Sequence, residues 1–203
     1  SGAACEVIMG RVLGTDYGTT MNGLIDHDDI ARHTDLHLAF GGVCLHNNQV
    51  VPGGVGEHRD RDCLLKAAEA GVEMVNIGPN QDDMPAFAKA RWLPVRPSSD
   101  AALLLALAHA IEVRGRVDND FLASHATGYE TFRAYLLGET DGITKDLSWA
   151  APLCGLALSE LEWLADRLIK ARRPLITLSL AIQRAEHGEQ PYWLGVTVAA
   201  MLG

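Results

Sequence analysis

The sequence predicts an α/β protein with a mostly parallel sheet, helices on both faces of it and a helical insertion. Three observations predict this. Short apolar runs at residues 35–40, 73–77, 91–95 and 175–179 have strand length, and helical patterns lie between them. Strand and helix patterns in alternation read as βαβ units, which are right-handed and lie in parallel sheets. Each run ends in glycine, proline or polar residues, where the chain must turn. The segment 101–111 is apolar on nearly every face, which suits a helix packed under a sheet. Together these describe a Rossmann-like sheet.

The elements follow in order. Residues 2–13 read as a small-residue helix with Gly14 as its stop. Residues 15–33 are polar and turn-rich and read as surface loop. The strand at 35–40 ends at Gly41-Gly42. Residues 43–56 hold Asn47, Asn48, Pro52, Gly53, Gly54 and Gly56, a long irregular loop of the kind that often carries function. Residues 59–70 read as a helix ended by Gly71. The strand at 73–77 then runs into the turn Gly78-Pro79-Asn80-Gln81. After the strand at 91–95, Ser98 or Ser99 caps a helix over 101–113, with Asp100 in its first turn, where a negative charge suits the helix dipole. Asp118 caps a short helix through Phe121-Leu122. Residues 129–137 and 146–150 form two more. Ser159 caps a helix over 161–170, with Glu162 completing a capping box. Arg172-Arg173-Pro174 ends that helix and leads into the last strand, and residues 194–202 form a closing apolar helix. No internal repeat or low-complexity tract is present.

The 203 residues allow one good-sized core or two small ones. A hydrophobic fraction of 48% excludes a disordered chain. The net charge of −9 and pI near 5.3 argue against a nucleic-acid partner, which would call for a basic face. No apolar run reaches the roughly eighteen residues of a membrane span. Cys5, Cys44, Cys63 and Cys154 are widely spaced, contain no C-x-x-C pair and read as buried thiols, not as a metal cluster. The chain opens on Ser1-Gly2-Ala3-Ala4 without Met, which reads as a fragment or a processed product.

No G-x-S-x-G, H-E-x-x-H or Walker loop is present. Asp26-His27-Asp28-Asp29 reads as a solvated loop and His109 as a core histidine. Four strand-end loops carry the ligand chemistry instead. Gly41-Gly42, with Asn47 and Asn48, combines close backbone approach with amides for phosphate or hydroxyl oxygens. Gly78-Pro79, with Asp82 and Asp83, offers carboxylates to ribose hydroxyls. At Pro97-Ser98-Ser99-Asp100 a carboxylate stands at a strand–helix junction, where it can accept two N–H bonds from a guanine edge. The stretch from Gln183 to Trp193 places amide, guanidinium, imidazole and carboxylate groups between the last strand and a helix. Four such loops at one sheet edge describe a nucleotide-type site.

The run Trp92-Leu93-Pro94-Val95-Arg96-Pro97-Ser98-Ser99-Asp100, continuing through Ala101-Ala102-Leu103 to His109, resembles the molybdopterin oxidoreductases. Their pattern there is close to W-x-P-x-R-P-G-T-D-x-A-L-x-L-A-x-A-H. Phe132-Arg133-Ala134-Tyr135-Leu136-Leu137-Gly138-Glu139-Thr140-Asp141-Gly142 resembles a narrower branch. So does Gln183-Arg184 followed by His187-Gly188-Glu189-Gln190 and Trp193. That branch is the dimethyl sulfoxide reductase family, and within it the S- and N-oxide reductases. The resemblance covers nearly the whole chain.

The resemblance implies one molybdenum held by two pterins, bis(molybdopterin guanine dinucleotide), and reduction of an S-oxide or N-oxide by oxygen-atom transfer. The chain would be a central portion of a longer subunit and inactive alone. Its partners would be the rest of that subunit, the small oxide substrate and an electron-donor protein. Residues 1–34 would belong to a neighbouring domain, and 35–203 would be the cofactor-binding domain, with a helical insertion at about 115–172. Asp100 would read a guanine, with Ser99 where the family has Thr. Gly41, Gly42 and Asn47 would line the diphosphate, and Pro79 and Asp83 the ribose. Gln183, Arg184, His187 and Gly188 would approach the pterin. The metal-binding serine of a Y-S-x-G-A-type motif would be Ser1 or the residue just before it. Departures from the pattern are Gly78 for an acidic or hydroxyl residue, Gln81 for Arg, Ser98 for Gly, and Met9-Gly10-Arg11 for a Pro-His pair. Periplasmic and cytoplasmic locations both fit. The rival readings are a stand-alone nucleotide-binding module and a truncated chain without redox activity.

Overall fold

A computed structural model describes residues 3–16, 27–46 and 60–203. Strands β1 (Leu36–Phe40), β2 (Glu73–Ile77), β3 (Arg91–Leu93) and β4 (Pro174–Leu178) form one sheet in the order β3-β2-β1-β4. Every pairing is parallel, with Leu38 opposite Val75 on one side and Ile176 on the other. The helices are α1 (Ala3–Ile8), α2 (His27–His33), α3 (Asp60–Glu69), α4 (Asp100–Val113), α5 (Asn119–His125), α6 (Tyr129–Leu136), α7 (Leu147–Cys154), α8 (Leu158–Lys170) and α9 (Glu189–Leu202). The expected α/β class and parallel sheet are what the chain forms.

Strand β1 is buried throughout because it lies inside the sheet with both faces covered. Leu36, Leu38 and Phe40 join Val75, Ile77 and Leu93 in the large core against α4, α7, α8 and α9. Ala39 and Met74 point the other way, to Leu64 and Ala67 of α3, with Ile30 and Ala31 of α2 beside them. Leu103, Leu104, Leu107 and Ile111 of α4 are fully buried because α4 touches α6, α7, α8 and α9 at once. That packing accounts for a helix with no polar face. Helix α1 continues as a π-helical turn, Met9–Leu13, which Gly14 ends in a left-handed conformation. Cys5, Ile8 and Met9 pack on Tyr192 of α9. None of the four cysteines forms a disulfide.

Several boundaries differ from the expectation. Residues 27–33 form α2 where the sequence read as loop; among the described residues only Ile30 and Ala31 anchor it, too few for a helical period to show. Helix α8 starts at Leu158, not after Ser159. Its first turn is tied by Glu160, whose carboxylate accepts from Ala157 N–H at 3.2 Å, so Glu162 has no capping role. The buried stripe Leu161, Leu164, Ala165 and Leu168 sets this phase. Helix α9 begins at Glu189, five residues before the expected 194, and takes Pro191 into its first turn, where no N–H is needed. The cap at Asp118 forms, with a bond of 2.8 Å from Phe121 N–H, and Asp146, expected within its helix, is that helix's cap, with a bond of 2.7 Å from Trp149 N–H.

The Leu136-Leu137-Gly138-Glu139-Thr140-Asp141-Gly142 motif ends α6 in a closed loop. Gly138 has φ 80°, and a methyl there would lie 2.7 Å from Thr144 N. Lys145, 2% exposed, plugs the loop: its ammonium donates to the Asp141 carboxylate (2.8 Å) and to the Tyr135 and Ile143 carbonyls, 4.1 Å from the Tyr135 ring centre.

His37 is buried between β2 and β4. Its Nε2 meets Thr177 Oγ1 at 2.8 Å, and Nδ1 has no partner. Burial pushes its pKa from 6.5 down to about 4. The unfolded chain therefore binds a proton between those values and the folded chain does not. Stability is full above about pH 6.5 and is lost as pH falls toward 4, by about 3 kcal/mol in total. Thermal unfolding followed between pH 7 and 4 should show this loss, and His37→Gln should flatten it. An equal slope in the variant would refute the assignment.

Candidate functional site

Because all four strands are parallel, the loops that leave their C-terminal ends share one edge of the sheet. Their order along it is Ser99/Asp100, Pro79/Asp83, Gly41/Gly42 and Gln183/Arg184. The chain runs outward from β1 to β2 and β3, then returns to pair β4 on the other side of β1. The loops after β1 and β4 thus part at a topological switch point, where open α/β sheets bind ligands.

The loop after β1 is wedged between its neighbours. Gly41 (φ 80°) lies so close to Ser179 that an added Cβ would be 2.6 Å from Ser179 Cβ, and at Gly42 (φ 69°) it would be 2.5 Å from the Asp83 carbonyl oxygen. Gly41 N–H donates to Ile77 O at 2.7 Å, Val43 N–H to Asp83 O at 2.8 Å, and Ser179 N–H to Phe40 O at 2.8 Å. The glycines are needed first to let three loops meet. The turn after β2 is built by Asn76, which the sequence reading missed. Its Nδ2 donates to the Asn80 and Gln81 carbonyls at 3.0 and 3.1 Å, while its buried Oδ1 has no partner. The signal was a lone amide in an otherwise apolar strand end. Trp92 Nε1 donates to Gly78 O at 2.9 Å. Pro79 is exposed and Asp83 half-buried.

After β3, Ser99 precedes α4 but its hydroxyl donates back to Arg96 O at 2.6 Å, so it does not cap the helix as expected. Asp100 in the first turn is only 6% exposed, and burial pushes its pKa up. Ser98 has φ 65°, a left-handed conformation that suits glycine. Ser98→Gly should therefore stabilise the chain by ~0.5–1 kcal/mol, about 2 °C in the thermal midpoint. A lowered midpoint would count against it.

After β4, Gln183 is 6% exposed, with its carboxamide turned into the protein. Arg184 and His187 are exposed. The His187 ring lies 3.8 Å from both the Glu186 and Glu189 carboxylates. Gly188 packs directly on the Gln183 carbonyl. The structure thus brings Gly41, Gly42 and Asp83 together with the start of the β4 loop, and groups Gln183 with Gly188. Ser99 and Asp100 stand two strands away, after β3. Asn47 and Ser1 lie outside the described residues. An open cavity of about 630 Å³ lies elsewhere, beside Gly71, Glu73 and Arg91 at the strands' N-terminal ends, and takes in none of these loops. Among the described residues, no group of three His, Cys, Asp or Glu side chains could hold a metal, and no helix is long and apolar enough to cross a membrane.

A family model described as molybdopterin oxidoreductase matches residues 30–203. The chain is 40% identical over 203 residues to biotin sulfoxide reductase of Cereibacter sphaeroides, covering 99% of this chain and 27% of that protein. It is 33% identical over 208 residues to dimethyl sulfoxide/trimethylamine N-oxide reductase of Cereibacter sphaeroides (100% and 24%). It is 30% identical over 213 residues to trimethylamine-N-oxide reductase of Haemophilus influenzae (100% and 24%). The chain therefore spans about a quarter of the length of these relatives. Acetylene hydratase from Pelobacter acetylenicus shares the fold, with a TM-score of 0.66 at 16% identity over 87% of this chain and 24% of that one.

Proposed function

The chain belongs to the molybdopterin oxidoreductase family, and from that premise we propose that it is the cofactor-cradling α/β portion of a molybdenum enzyme that reduces S-oxides or N-oxides by oxygen-atom transfer. The family implies a molybdenum–pterin cofactor; the guanine dinucleotide form is the finer part of this reading. One observation carries it: four loops with ligand-competent groups share the edge that flanks the switch point.

The residues fit such a group. Among the described residues, Asn76 Oδ1 is a buried polar atom without a partner at that edge. Native proteins rarely leave such atoms unpaired, except where something binds. Among the described residues the buried Asp100 carboxylate likewise has no cation beside it, and N–H donors from a guanine would offset its desolvation. In this reading Asp100 and Ser99 hold the guanine, Pro79 and Asp83 the ribose, and Gly41, Gly42 and Asn47 the diphosphate. Arg184, His187 and Gly188 face the pterin, and Ser1 or its predecessor ligates the metal. The cofactor supplies a centre that cycles across two electrons; the chain's residues bind it, orient it and exclude water. The rest of the subunit and an electron donor complete the system.

The test is metal, pterin and nucleotide analysis of the whole subunit from cofactor-replete cells. Molybdenum, pterin and releasable guanine nucleotide are expected together. Asp100→Ala removes charge-assisted bonds of ~1.5–3 kcal/mol, so guanine-nucleotide retention should weaken about ten- to hundredfold. A wild-type subunit with neither molybdenum nor pterin would leave a plain nucleotide-binding module as the better reading.

A further inference from the structure

The last four carbonyls of a helix have no partner within it. Two of those that end α7 are taken by one residue from across the chain: Arg96 N–H donates to Cys154 O at 2.8 Å, and Arg96 Nη1 donates to Pro152 O at 3.3 Å. The guanidinium is a cation at a helix C-terminus, where the dipole favours it. Gly155 ends α7 with φ 71°, and the Arg96 side chain packs over it, 3.8 Å from where a Cβ would lie. From the same residue a second set of bonds runs forward. Arg96 O accepts from Ser99 N–H at 3.2 Å and from Ser99 Oγ at 2.6 Å. Ser99 O in turn accepts from the fully buried Cys154 thiol at 3.8 Å, across 55 residues. Arg96, Ser99 and Cys154 thus close a ring of hydrogen bonds. The ring encloses the left-handed Ser98 and passes directly into Asp100.

We propose that Arg96 is a positioning residue for guanine recognition: seated on the end of α7, it sets Asp100 so that both carboxylate oxygens meet the guanine edge. The inference rests on the proposed function, in which Asp100 holds that base. A guanine offers two donors side by side, N1–H and the N2 amine, and only a carboxylate held in register accepts both. Asp100, 6% exposed, is the first residue of α4 and follows the ring with no residue between. Hypoxanthine has the N1–H and lacks the amine, so the preference for GMP over IMP measures the second bond.

The experiment uses the whole subunit made without cofactor, as wild type, Arg96→Met, Arg96→Lys, Cys154→Ala and Asp100→Ala, with GMP and IMP as probes in equilibrium dialysis. Asp100→Ala marks the binding that belongs to this site. There, wild type should prefer GMP about tenfold or more, as one charge-assisted bond provides. Arg96→Met should bring the two affinities within about threefold of each other, as loss of that bond requires. Arg96→Lys can still donate to Pro152 O and should restore the preference. An undiminished preference in Arg96→Met overturns the proposal. So does an equal fall in both affinities, which a purely structural loss would give. If Arg96→Met does not fold, Cys154→Ala decides, because it opens the ring and leaves the guanidinium in place: a reduced preference supports the ring, and a wild-type preference overturns it. A wild-type subunit with no preference for GMP overturns the guanine assignment of Asp100 and this inference with it, while molybdenum and pterin in the loaded subunit would still uphold the proposed function.

Discussion

Replacing Gly188 with alanine is expected to cut the activity of the whole subunit at least about a hundredfold and to lower its molybdenum and pterin content. The argument is steric. Gly188 has φ −62°, which any residue can adopt, so backbone strain is not the issue. An added Cβ would sit 2.0 Å from the Gln183 carbonyl oxygen and 2.5 Å from its carbonyl carbon. Both are backbone atoms and cannot rotate away, so the loop 183–188 must open. Opening it displaces Gln183, releases the Cys5 N–H from Gln183 Oε1 and moves the first turn of α9. A rearrangement of this kind costs ~3 kcal/mol or more, equivalent to about two orders of magnitude in rate when it falls on the site. Gly195→Ala is the matching control. Its Cβ would meet Leu178 Cδ1 at 2.5 Å, but that is the tip of a flexible side chain, and a mild effect of about 1 kcal/mol is expected. Full cofactor content and near-normal turnover in Gly188→Ala would sink the reading of this loop.

Gly138→Ala should have the opposite profile: a large loss of stability with the cofactor content of the folded fraction unchanged. Gly138 combines a left-handed φ of 80° with a Cβ position 2.7 Å from both Ile143 C and Thr144 N. The alanine pays ~1–2 kcal/mol for the conformation, and the backbone clash adds to it. The loop cannot relax freely, because Lys145 is buried inside it and depends on the Asp141 carboxylate and the Tyr135 and Ile143 carbonyls. Opening the loop separates a buried ammonium from its acceptors. A total of about 3 kcal/mol corresponds to a fall of about 6–12 °C in the thermal midpoint for a chain of this size. A shift below about 2 °C would show that the loop opens without disturbing the lysine. The two glycines differ because Gly138 closes α6, among the helices between β3 and β4, while Gly188 follows β4 at the sheet edge.

Strand β2 runs over the residues its apolar pattern predicts, and α4 begins one residue early. Asp118 caps as expected because a cap joins a side chain to an N–H three residues on, within reach of local pattern, and Asp146, expected inside its helix, caps it by the same bond. The same reasoning failed at Ser159, where tertiary packing of Leu161, Leu164 and Leu168 chose the helix phase, and at α2, whose two core residues carry no period. The motifs at residues 92–109 and 183–193 were enough to point to the family that the comparisons then showed. Asn76 went unnoticed, since a single amide in a strand says nothing until the turn it holds is seen.

By itself, the sequence determined the class of the fold, the parallel sense of its strands and the positions of four strand-end loops with ligand-competent groups. Strand length, helical period and the right-handedness of βαβ units are local rules, and they suffice for that much. Only the tertiary structure decided that β4 pairs with β1, which creates the switch point between their loops. It alone showed that Gly42 and Gly188 are required by neighbouring backbone and Gly41 by the Ser179 side chain, and that Gln183 turns inward to cap a helix 178 residues away. Such contacts depend on which distant segments the sheet brings side by side, and no pattern within either segment encodes that meeting.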